Sequence, residues 1–446
     1  MPSALSPPTA ALSPADIRSL FPIFSKTPTA ILDNAAGSQL PQCVIDAAVD
    51  YMTRAYLNTG MQTPESIRVS TTLDRARSTV RTFVNGDAIG SVVLGGSSTA
   101  SCFLLANAYA DAMESTKAGT LATGEPLPDA TRAMNLLHRN QVIVSTAGHE
   151  ANINPWMKLA RRGFDVVLWP TEKDSDGNYR PLVSTLKTLL SDRTLLVAMP
   201  QVSNILGEVW DMKMYTDAAH AVGARMVVDG VASAPHAAPD VAHIGCDWYL
   251  YSTYKVFGPH LGALFGTRKA FGEVTGPNHF FIPRDELPRK FEPGGVNHEG
   301  CAMIGALWDF VCQVEGVDKS TAPRYEVFAS AFARMLEKER ALAGRVLAYL
   351  AKHPRVHVVG PTTMDHRRIG LLSFVHQSKK SSDIAKAGNA EGLGFRSGHC
   401  YAKRLVEELA HTYPIDPVEG VVRISFMGYN NDAEVDRLLA FLEKTL

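Results

Sequence analysis

Five short segments of this chain place polar residues directly after runs of apolar residues. They lie at 95–100 (GGSSTA), 149–152 (HEAN), 201–204 (QVSN), 229–230 (DG) and 252–255 (STYK). In open α/β sheets, ligands bind at the carboxyl ends of the strands, so chemistry is expected at positions of this kind.

Each segment carries residue types with a defined chemical use. The small residues at 95–100 precede a helix-like stretch, so backbone amides and hydroxyls there suit an anion such as a phosphate. Asp229 ends an apolar run, and a buried carboxylate requires a cationic or hydrogen-bonding partner. Lys255 stands between aromatic and apolar residues, where burial lowers the pKa of an amine and favours a Schiff base. Taken singly, each pattern is equally typical of a cap, a turn or a surface lysine. The prediction of a site therefore depends on their combination.

The elements that would position these residues alternate along the chain between about 92 and 266. Helical spacing separates the apolar runs, which predicts a largely parallel sheet covered by helices. The predicted strands are 92–95, 142–146, 165–170, 195–200, 225–229 and 248–252. From about residue 325, a long helix, strands at 356–360, 370–375 and 421–427, and a terminal helix predict a second, smaller α/β domain.

Composition excludes several classes of protein. The chain has 446 residues, with 44 Lys and Arg against 45 Asp and Glu, so its net charge of −1 gives no reason to expect a nucleic acid or an anionic membrane as a partner. No apolar run approaches the roughly 18 residues of a spanning helix. Six cysteines are scattered without a CxxC pair, which argues against a disulfide framework or a metal site. We expect a soluble, cytoplasmic protein.

The order of these segments matches the needs of one cofactor. Pyridoxal 5′-phosphate (PLP) requires a lysine for its aldehyde, a carboxylate for its ring nitrogen, a flat group over the ring and an anion site. The stretches VDGVASAPH and YSTYKVFGPHLGALFG resemble the class V aminotransferase and cysteine desulfurase family of fold-type I PLP enzymes, and within it the desulfurase-like branch. The resemblance runs from LDNAAGS at 32–38 to VVRISFMGYN, which contains Arg423.

The resemblance implies an α/β fold in which a large domain, with a mostly parallel seven-stranded sheet, is joined to a smaller C-terminal α/β domain. We expect the large PLP-binding domain at 41–299, the small domain at 16–40 with 300–446, and a flexible tail at 1–15. The family is usually a homodimer with shared active sites, so we expect the same here.

The resemblance also implies roles for individual residues. Lys255 would bind the cofactor's aldehyde and carry a proton, Asp229 would hold the ring nitrogen, and His149 would stack on the ring. Asn204 would lie near the phenolic oxygen. The phosphate would be bound by Ser97, Ser98, Thr99, Ser252 and Tyr254, the substrate by Arg423, Arg396 and Asn34, and the partner subunit's cofactor by Gly295 in the segment 291–300.

Three positions depart from the family pattern. Desulfurases carry a nucleophilic cysteine after two histidines, whereas the stretch RSGHCY has one histidine. By strict count Tyr401 occupies the nucleophile's place and Cys400 stands one residue early. Ala232 replaces a usual glutamine, and Gly295 replaces a frequent hydroxyl residue.

Three functions are consistent with this pattern. In the first, the enzyme cleaves the C–S bond of cysteine or a cysteine derivative, and Cys400 carries the sulfur as a persulfide. In the second, it is an enzyme of secondary metabolism that uses a carbanion for epimerisation, decarboxylative aldol addition or Mannich-type ring closure, and Cys400 has no covalent role. In the third, the protein binds PLP without turnover.

Overall fold

A computed structural model describes the protein from residue 11 to residue 446. Most of the tail predicted at 1–15 therefore lies outside the described residues. At the start of the described part, the backbone N–H of Leu12 donates to the carbonyl of Val314 at 2.9 Å. The first helix begins at Pro14.

The described strands and helices are numbered in chain order. The strands are β1 Ala30–Ile31, β2 Gly90–Gly95, β3 Gln141–Ser145, β4 Asp165–Trp169, β5 Glu172–Lys173, β6 Tyr179–Arg180, β7 Thr194–Pro200, β8 Arg225–Asp229, β9 Trp248–Ser252, β10 Gly262–Thr267, β11 Val356–Val359, β12 Leu371–His376, β13 Leu393–Gly394, β14 Arg396–Gly398 and β15 Val421–Ser425. The helices are α1 Pro14–Ile17, α2 Gln42–Arg54, α3 Pro64–Phe83, α4 Ser98–Ala118, α5 Asp129–Ala133, α6 Asn154–Met157, α7 Val183–Leu189, α8 Met212–Ala221, α9 Val241–Ile244, α10 Arg268–Glu273, α11 His298–Gly305, α12 Leu307–Glu315, α13 Tyr325–Lys352, α14 Ser381–Ala390, α15 Lys403–Leu409 and α16 Asp432–Thr445.

Seven strands form the central sheet, in the order β2-β10-β9-β8-β7-β3-β4. All pairs are parallel except those of β10, which is antiparallel to both β2 and β9. Buried on both faces, the strands of such a sheet are nearly continuous apolar runs, as in the TLLVAMP of β7. Because only β10 is reversed, the carboxyl ends of β2, β9, β8, β7 and β3 lie at one edge of the sheet.

A second, four-stranded antiparallel sheet lies in the C-terminal part, in the order β11-β12-β15-β14. Side chains of α13 and α16 pack on it, so Val346, Phe374, Ile424 and Leu438 share one core. Strand β1 pairs in parallel with β13, which ties the segment around residue 30 to this half of the protein. The predicted boundaries at 40/41 and 299/300 stay a prediction.

Among residues 11–446, none of the helices combines the length and the apolar character that a bilayer span requires.

Candidate functional site

The polar segments predicted from the sequence meet at the carboxyl edge of the central sheet. Lys255 follows β9, Asp229 is the last residue of β8, Asn204 follows β7 and His149 follows β3. The turn after β2 leads into α4 at the same edge. This edge of the sheet, called the cleft below, therefore collects residues that are up to about 160 positions apart in the chain.

Lys255 ends the single helical turn that follows β9, and its side chain is buried, with 8% of the residue exposed. Burial and the charge of Arg423 lower its pKa to about 8, against the opposing effects of Asp229 and Asp33. A lysine of this kind is a nucleophile near neutral pH because a useful fraction of its amine is uncharged.

Asp229 is 5% exposed, and its Oδ1 accepts a hydrogen bond from the backbone N–H of Val231 at 2.9 Å. Burial raises its pKa to about 6, although this hydrogen bond and the charge of Lys255 oppose the shift. A buried carboxylate in this state is stabilised by any group that brings an N–H donor or a positive charge to it.

His149 presents a flat, neutral ring at the end of β3. Its Nδ1 accepts a hydrogen bond from the backbone N–H of Ala151 at 3.0 Å. Burial, with the charges of Lys255 and Arg423, lowers its pKa to about 4. The ring of Tyr401 stacks on it, with centroids 5.1 Å apart.

The turn between β2 and α4 lies close against β9 and β10. Ser97 caps the 21-residue helix by accepting from the backbone N–H of Ala100 at 3.0 Å. The Oγ atoms of Ser98 and Ser252 share a hydrogen bond of 2.7 Å. Gly262 makes this possible, because a Cβ atom there would lie 2.2 Å from the carbonyl carbon of Ser97. Free amides at a helix N-terminus, with two hydroxyls beside them, suit an anion.

Asn204 links the sheet to the C-terminal half. Its side-chain Nδ2 donates to the backbone carbonyl of Cys400 at 2.8 Å. Its backbone carbonyl accepts from Nη1 of Arg423 at 3.3 Å. Its Oδ1 is buried and has no hydrogen-bond partner within the described chain. The cleft therefore holds an acceptor that a bound molecule would satisfy.

Two arginines lie around one carboxylate beside these residues. Nη2 of Arg423, on β15, is 3.1 Å from Oδ1 of Asp33, and Nε of Arg396, on β14, donates to Oδ2 of the same carboxylate. Arg423 is 3% exposed, whereas the side chain of Arg396 is 48% exposed.

The loop after β14 covers the cleft. Cys400 and Tyr401 both have left-handed backbones, with φ of 47° and 60°. The backbone N–H of Glu150 donates to the carbonyl of Tyr401 at 2.8 Å, and its carboxylate pairs with Arg404 at 3.0 Å. Two consecutive non-glycine residues in this conformation are costly, so the contacts with Glu150 and Asn204 are what hold the loop in place.

The thiol of Cys400 is half-buried in the same loop. Its Sγ donates to the carbonyl of Gly398 at 3.8 Å. Burial raises its pKa, although Arg423, Arg396 and Lys255 act in the opposite direction. The thiol therefore lies within electrostatic range of the lysine and of both arginines.

The remaining predicted residues differ in their placement. Thr99 is exposed at the first turn of α4, and the ring of Tyr254 stacks on that of His260 at 4.7 Å. The side chain of Asn34 is buried and fully bonded within the protein, to the carbonyls of Ile31 and Ser425 and to the side chains of Tyr429 and Asn430. The predicted contact of that side chain with substrate stays a prediction.

Gly295 lies apart from this cluster. It has a φ of +86° and lines a separate groove with Arg77 and His298. Its predicted contact with a partner subunit's cofactor stays a prediction. Among the residues that the structure describes, no three His, Cys, Asp or Glu side chains form a group that could hold a metal ion.

Sequence reasoning missed one member of the site and one contact. Asp33 pairs with Arg423 across 390 positions, and Tyr401, predicted only as a position in the loop, stacks on His149. The only local signal for Asp33 was its place within the LDNAAGS segment. Contacts between such distant residues are invisible to local patterns.

The chain was compared with known proteins. The family described as aminotransferase class-V matches residues 30–125 and 122–438. The chain is 30% identical to the aminotransferase-like protein FGM3 of Gibberella zeae, over 97% of this chain and 98% of that protein. It is 29% identical to a probable cysteine desulfurase of Halalkalibacterium halodurans, over 96% and 97%. The cysteine desulfurase CsdA of Escherichia coli superposes with a TM-score of 0.76 at 25% identity, over 97% and 98%. With the seven-stranded sheet, these matches confirm the predicted fold-type I class and family.

Proposed function

The chain belongs to the class V aminotransferase family, whose enzymes use PLP, and we propose that it acts at the α-carbon of an amino acid whose carboxylate binds Arg423. The observation that carries this proposal is that Lys255, Asp229 and Arg423 lie together in the cleft. Lys255 and Asp229 are buried, and burial lowers the pKa of the lysine to about 8 and raises that of the aspartate to about 6.

The residues present fit PLP at its ring. Asp229 is a buried carboxylate, and its hydrogen bond from Val231 engages Oδ1, so Oδ2 would suit the N–H of the pyridine ring. The unpartnered Oδ1 of Asn204 would accept a hydrogen bond from an O–H group at the phenolic position. His149 offers a flat, uncharged face for stacking.

The residues also fit PLP at its two ends. Lys255 would bind the aldehyde through its amine. The phosphate would lie at the N-terminus of α4, against Ser98, Thr99 and Ser252, with Ser97 holding the first turn in shape. A helix of 21 residues provides a full macrodipole for that anion.

When bound, PLP supplies an electron-withdrawing ring that takes up the electron pair of a bond broken at the substrate's α-carbon. Asp229 holds the proton on the ring nitrogen, on which that withdrawal depends. Arg423 binds the α-carboxylate and fixes the orientation of the substrate. Lys255 would hold the cofactor's aldehyde and would also move the proton at the substrate's α-carbon.

For the specific reaction, we propose removal of sulfur from cysteine. The place of Cys400 in the loop over the cleft supports it, because the charges of Arg423 and Lys255 there oppose the burial that raises the pKa of the thiol. The thiolate attacks the sulfur of the bound cysteine, so the substrate's C–S bond breaks and an S–S bond forms on Cys400. The substrate's carbon takes up a proton, and alanine leaves.

The test is to supply PLP-loaded enzyme with L-cysteine and to quantify alanine and sulfide. Cys400→Ala abolishes alanine formation if Cys400 carries the sulfur. Cys43→Ala is the matched control, because that cysteine is also half-buried but lies on α2, outside the cleft. Equal alanine formation by wild type and Cys400→Ala would exclude the covalent role of Cys400.

One observation favours a second function, carbanion chemistry of secondary metabolism. Burial raises the pKa of the Cys400 thiol, which makes the thiolate scarce, and the neighbouring Tyr401, at the family's nucleophile position, is 65% exposed at the mouth of the cleft. In this case the enzyme exchanges the α-proton of other amino acids with deuterated solvent, and Cys400→Ala retains that exchange. An enzyme that binds PLP but neither exchanges protons nor forms alanine would support a binding protein without turnover.

We also propose that the protein is a cytoplasmic homodimer. Exposed apolar side chains on α2, on α3 and in the segment between them support an interface there, since such a stripe is costly in water. They are Val49, Met52, Tyr56, Met61 and Ile67. Sedimentation at micromolar concentration tests the proposal, and a single species at 48.4 kDa would contradict it.

A further inference from the structure

Asp33 lies between the two arginines of the cleft, Arg423 and Arg396. One of its oxygens pairs with Arg423 and the other with Arg396. Its charge also raises the pKa of Lys255, while both arginines lower it. The carboxylate is therefore part of the electrostatic environment of the reacting amine.

The geometry around Asp33 sets the charge of the cleft. Arg423 and Arg396 contribute two positive charges, and Asp33 cancels one of them. Arg423 is held from two sides, by Asp33 and by the carbonyl of Asn204 at 3.3 Å, and its Nε is buried without a partner within the described chain. The guanidinium thus has a fixed orientation and a hydrogen-bond donor still to satisfy.

We propose that Asp33 is a positioning and specificity residue. It orients the two guanidinium groups and leaves the substrate-carboxylate site with one net positive charge, so that the site accepts amino acids with a single carboxylate and rejects an anionic side chain. This inference rests on the proposed binding of the substrate's carboxylate to Arg423. The side chain of Arg396 is half-exposed and so is accessible to a second carboxylate once its partner is neutral.

The test compares L-aspartate with L-asparagine, which has the same shape but a neutral side chain. The dissociation constant of each for PLP-loaded enzyme is measured from the change in the cofactor's absorbance, which requires no turnover. Wild type binds asparagine more tightly than aspartate. Asp33→Asn shifts the ratio toward aspartate by about tenfold, because its effect on the α-carboxylate, which both ligands carry, cancels in the ratio and leaves the effect on the side-chain charge.

Two further variants keep the test decisive. Arg396→Gln removes a positive charge at a half-exposed position, so it shifts the ratio in the opposite direction, toward asparagine, and it decides the question if Asp33→Asn does not load PLP. Glu391→Gln removes a carboxylate that pairs with Lys444 in the C-terminal half, away from the residues of the cleft, and the ratio stays at the wild-type value.

A merely structural role for Asp33 would weaken both ligands equally, and an unchanged ratio in Asp33→Asn or a shift of Arg396→Gln toward aspartate overturns the proposal. The proposal for Asp33 and the proposal of sulfur transfer can fail independently of each other. If cysteine yields no alanine but the ratios shift as expected, the role of Asp33 stands and the desulfurase reaction falls. If wild type binds neither amino acid but forms alanine from cysteine, the role of Asp33 falls and the desulfurase reaction stands.

Discussion

The ring of Tyr401 lies on the ring of His149, with 5.1 Å between their centroids and 29° between their planes. The two residues belong to different halves of the protein, since His149 follows β3 of the central sheet and Tyr401 follows β14 of the C-terminal sheet. The stack therefore joins the loop of Cys400 to the residue proposed to cover the cofactor's ring.

Loss of this stack should weaken PLP binding. A stacked aromatic pair contributes about 0.5–1.5 kcal/mol, so Tyr401→Ala should raise the dissociation constant of PLP by roughly 2- to 10-fold through a less well fixed His149 ring. Equilibrium titration of PLP by absorbance measures the change. Tyr401→Phe keeps the ring and should bind PLP as wild type does. If both variants match wild type, the stack has no part in holding the cofactor.

The lowered pKa of Lys255 predicts how PLP capture depends on pH. The uncharged amine attacks the aldehyde, so the rate of capture by PLP-free protein should rise with pH and level off above the pKa of about 8. Because the charge of Arg423 contributes to the lowering, Arg423→Gln should move the midpoint to higher pH. Stopped-flow absorbance between pH 6 and 10 measures the profile.

A matched control for that shift is Arg404→Gln. Arg404 pairs with Glu150 and is not among the charges that act on Lys255. Its profile should coincide with that of wild type, and an equal shift in both variants would mean that the effect does not come from the local charge of Arg423.

Most of the sheet edge was predictable from the sequence for a physical reason. A buried parallel strand must be apolar along its whole length, so the first polar residue marks its end, as Asp229 does for β8 and Ser252 does for β9. The strand β10 was not among the predicted strands, and its antiparallel direction could not be predicted either. Its sequence, GALFGT, carries the same apolar signal in either direction.

The pairing partners were not predictable in the same way. Asp33 and Arg423 are brought together by the parallel pairing of β1 with β13 and by the bridge between Asp33 and Ser425, which depend on the packing of the whole C-terminal half. The side chain of Asn34 likewise hydrogen-bonds to Tyr429 and Asn430. No pattern in the segment 32–38 predicts these two residues as its neighbours.

Asp229 should reduce the stability of the PLP-free protein at neutral pH. Its folded-state pKa of about 6 is above the ordinary value of 3.8, so the folded state is favoured while the carboxyl is protonated, and this stability is lost as the pH rises through about 6. Asp229→Asn removes the buried charge and should stabilise the PLP-free protein by up to about 3 kcal/mol at pH 8.

Thermal unfolding of the PLP-free proteins at several pH values measures this effect. The advantage of Asp229→Asn over wild type should be largest near pH 8 and should shrink toward pH 4, where the wild-type carboxyl is protonated in the folded state. An advantage that does not change with pH would show that packing, and not the buried charge, is responsible.

Gly262 is the position at which a single methyl group should disturb the anion turn. A Cβ atom there would lie 2.2 Å from the carbonyl carbon and 2.5 Å from the backbone nitrogen beside it, at Ser97 and Ser98, which are backbone atoms that cannot rotate away. Gly262→Ala should therefore push the N-terminus of α4 off β10 and cost about 1–3 kcal/mol of stability.

Gly262→Ala should also weaken PLP binding, because the Ser98–Ser252 hydrogen bond is lost. Gly272→Ala in α10, where the added Cβ meets nothing within 4 Å, is the control and should leave both unchanged. Chemical denaturation and PLP titration measure the two effects, and normal PLP affinity in Gly262→Ala would mean that the turn does not bind the phosphate.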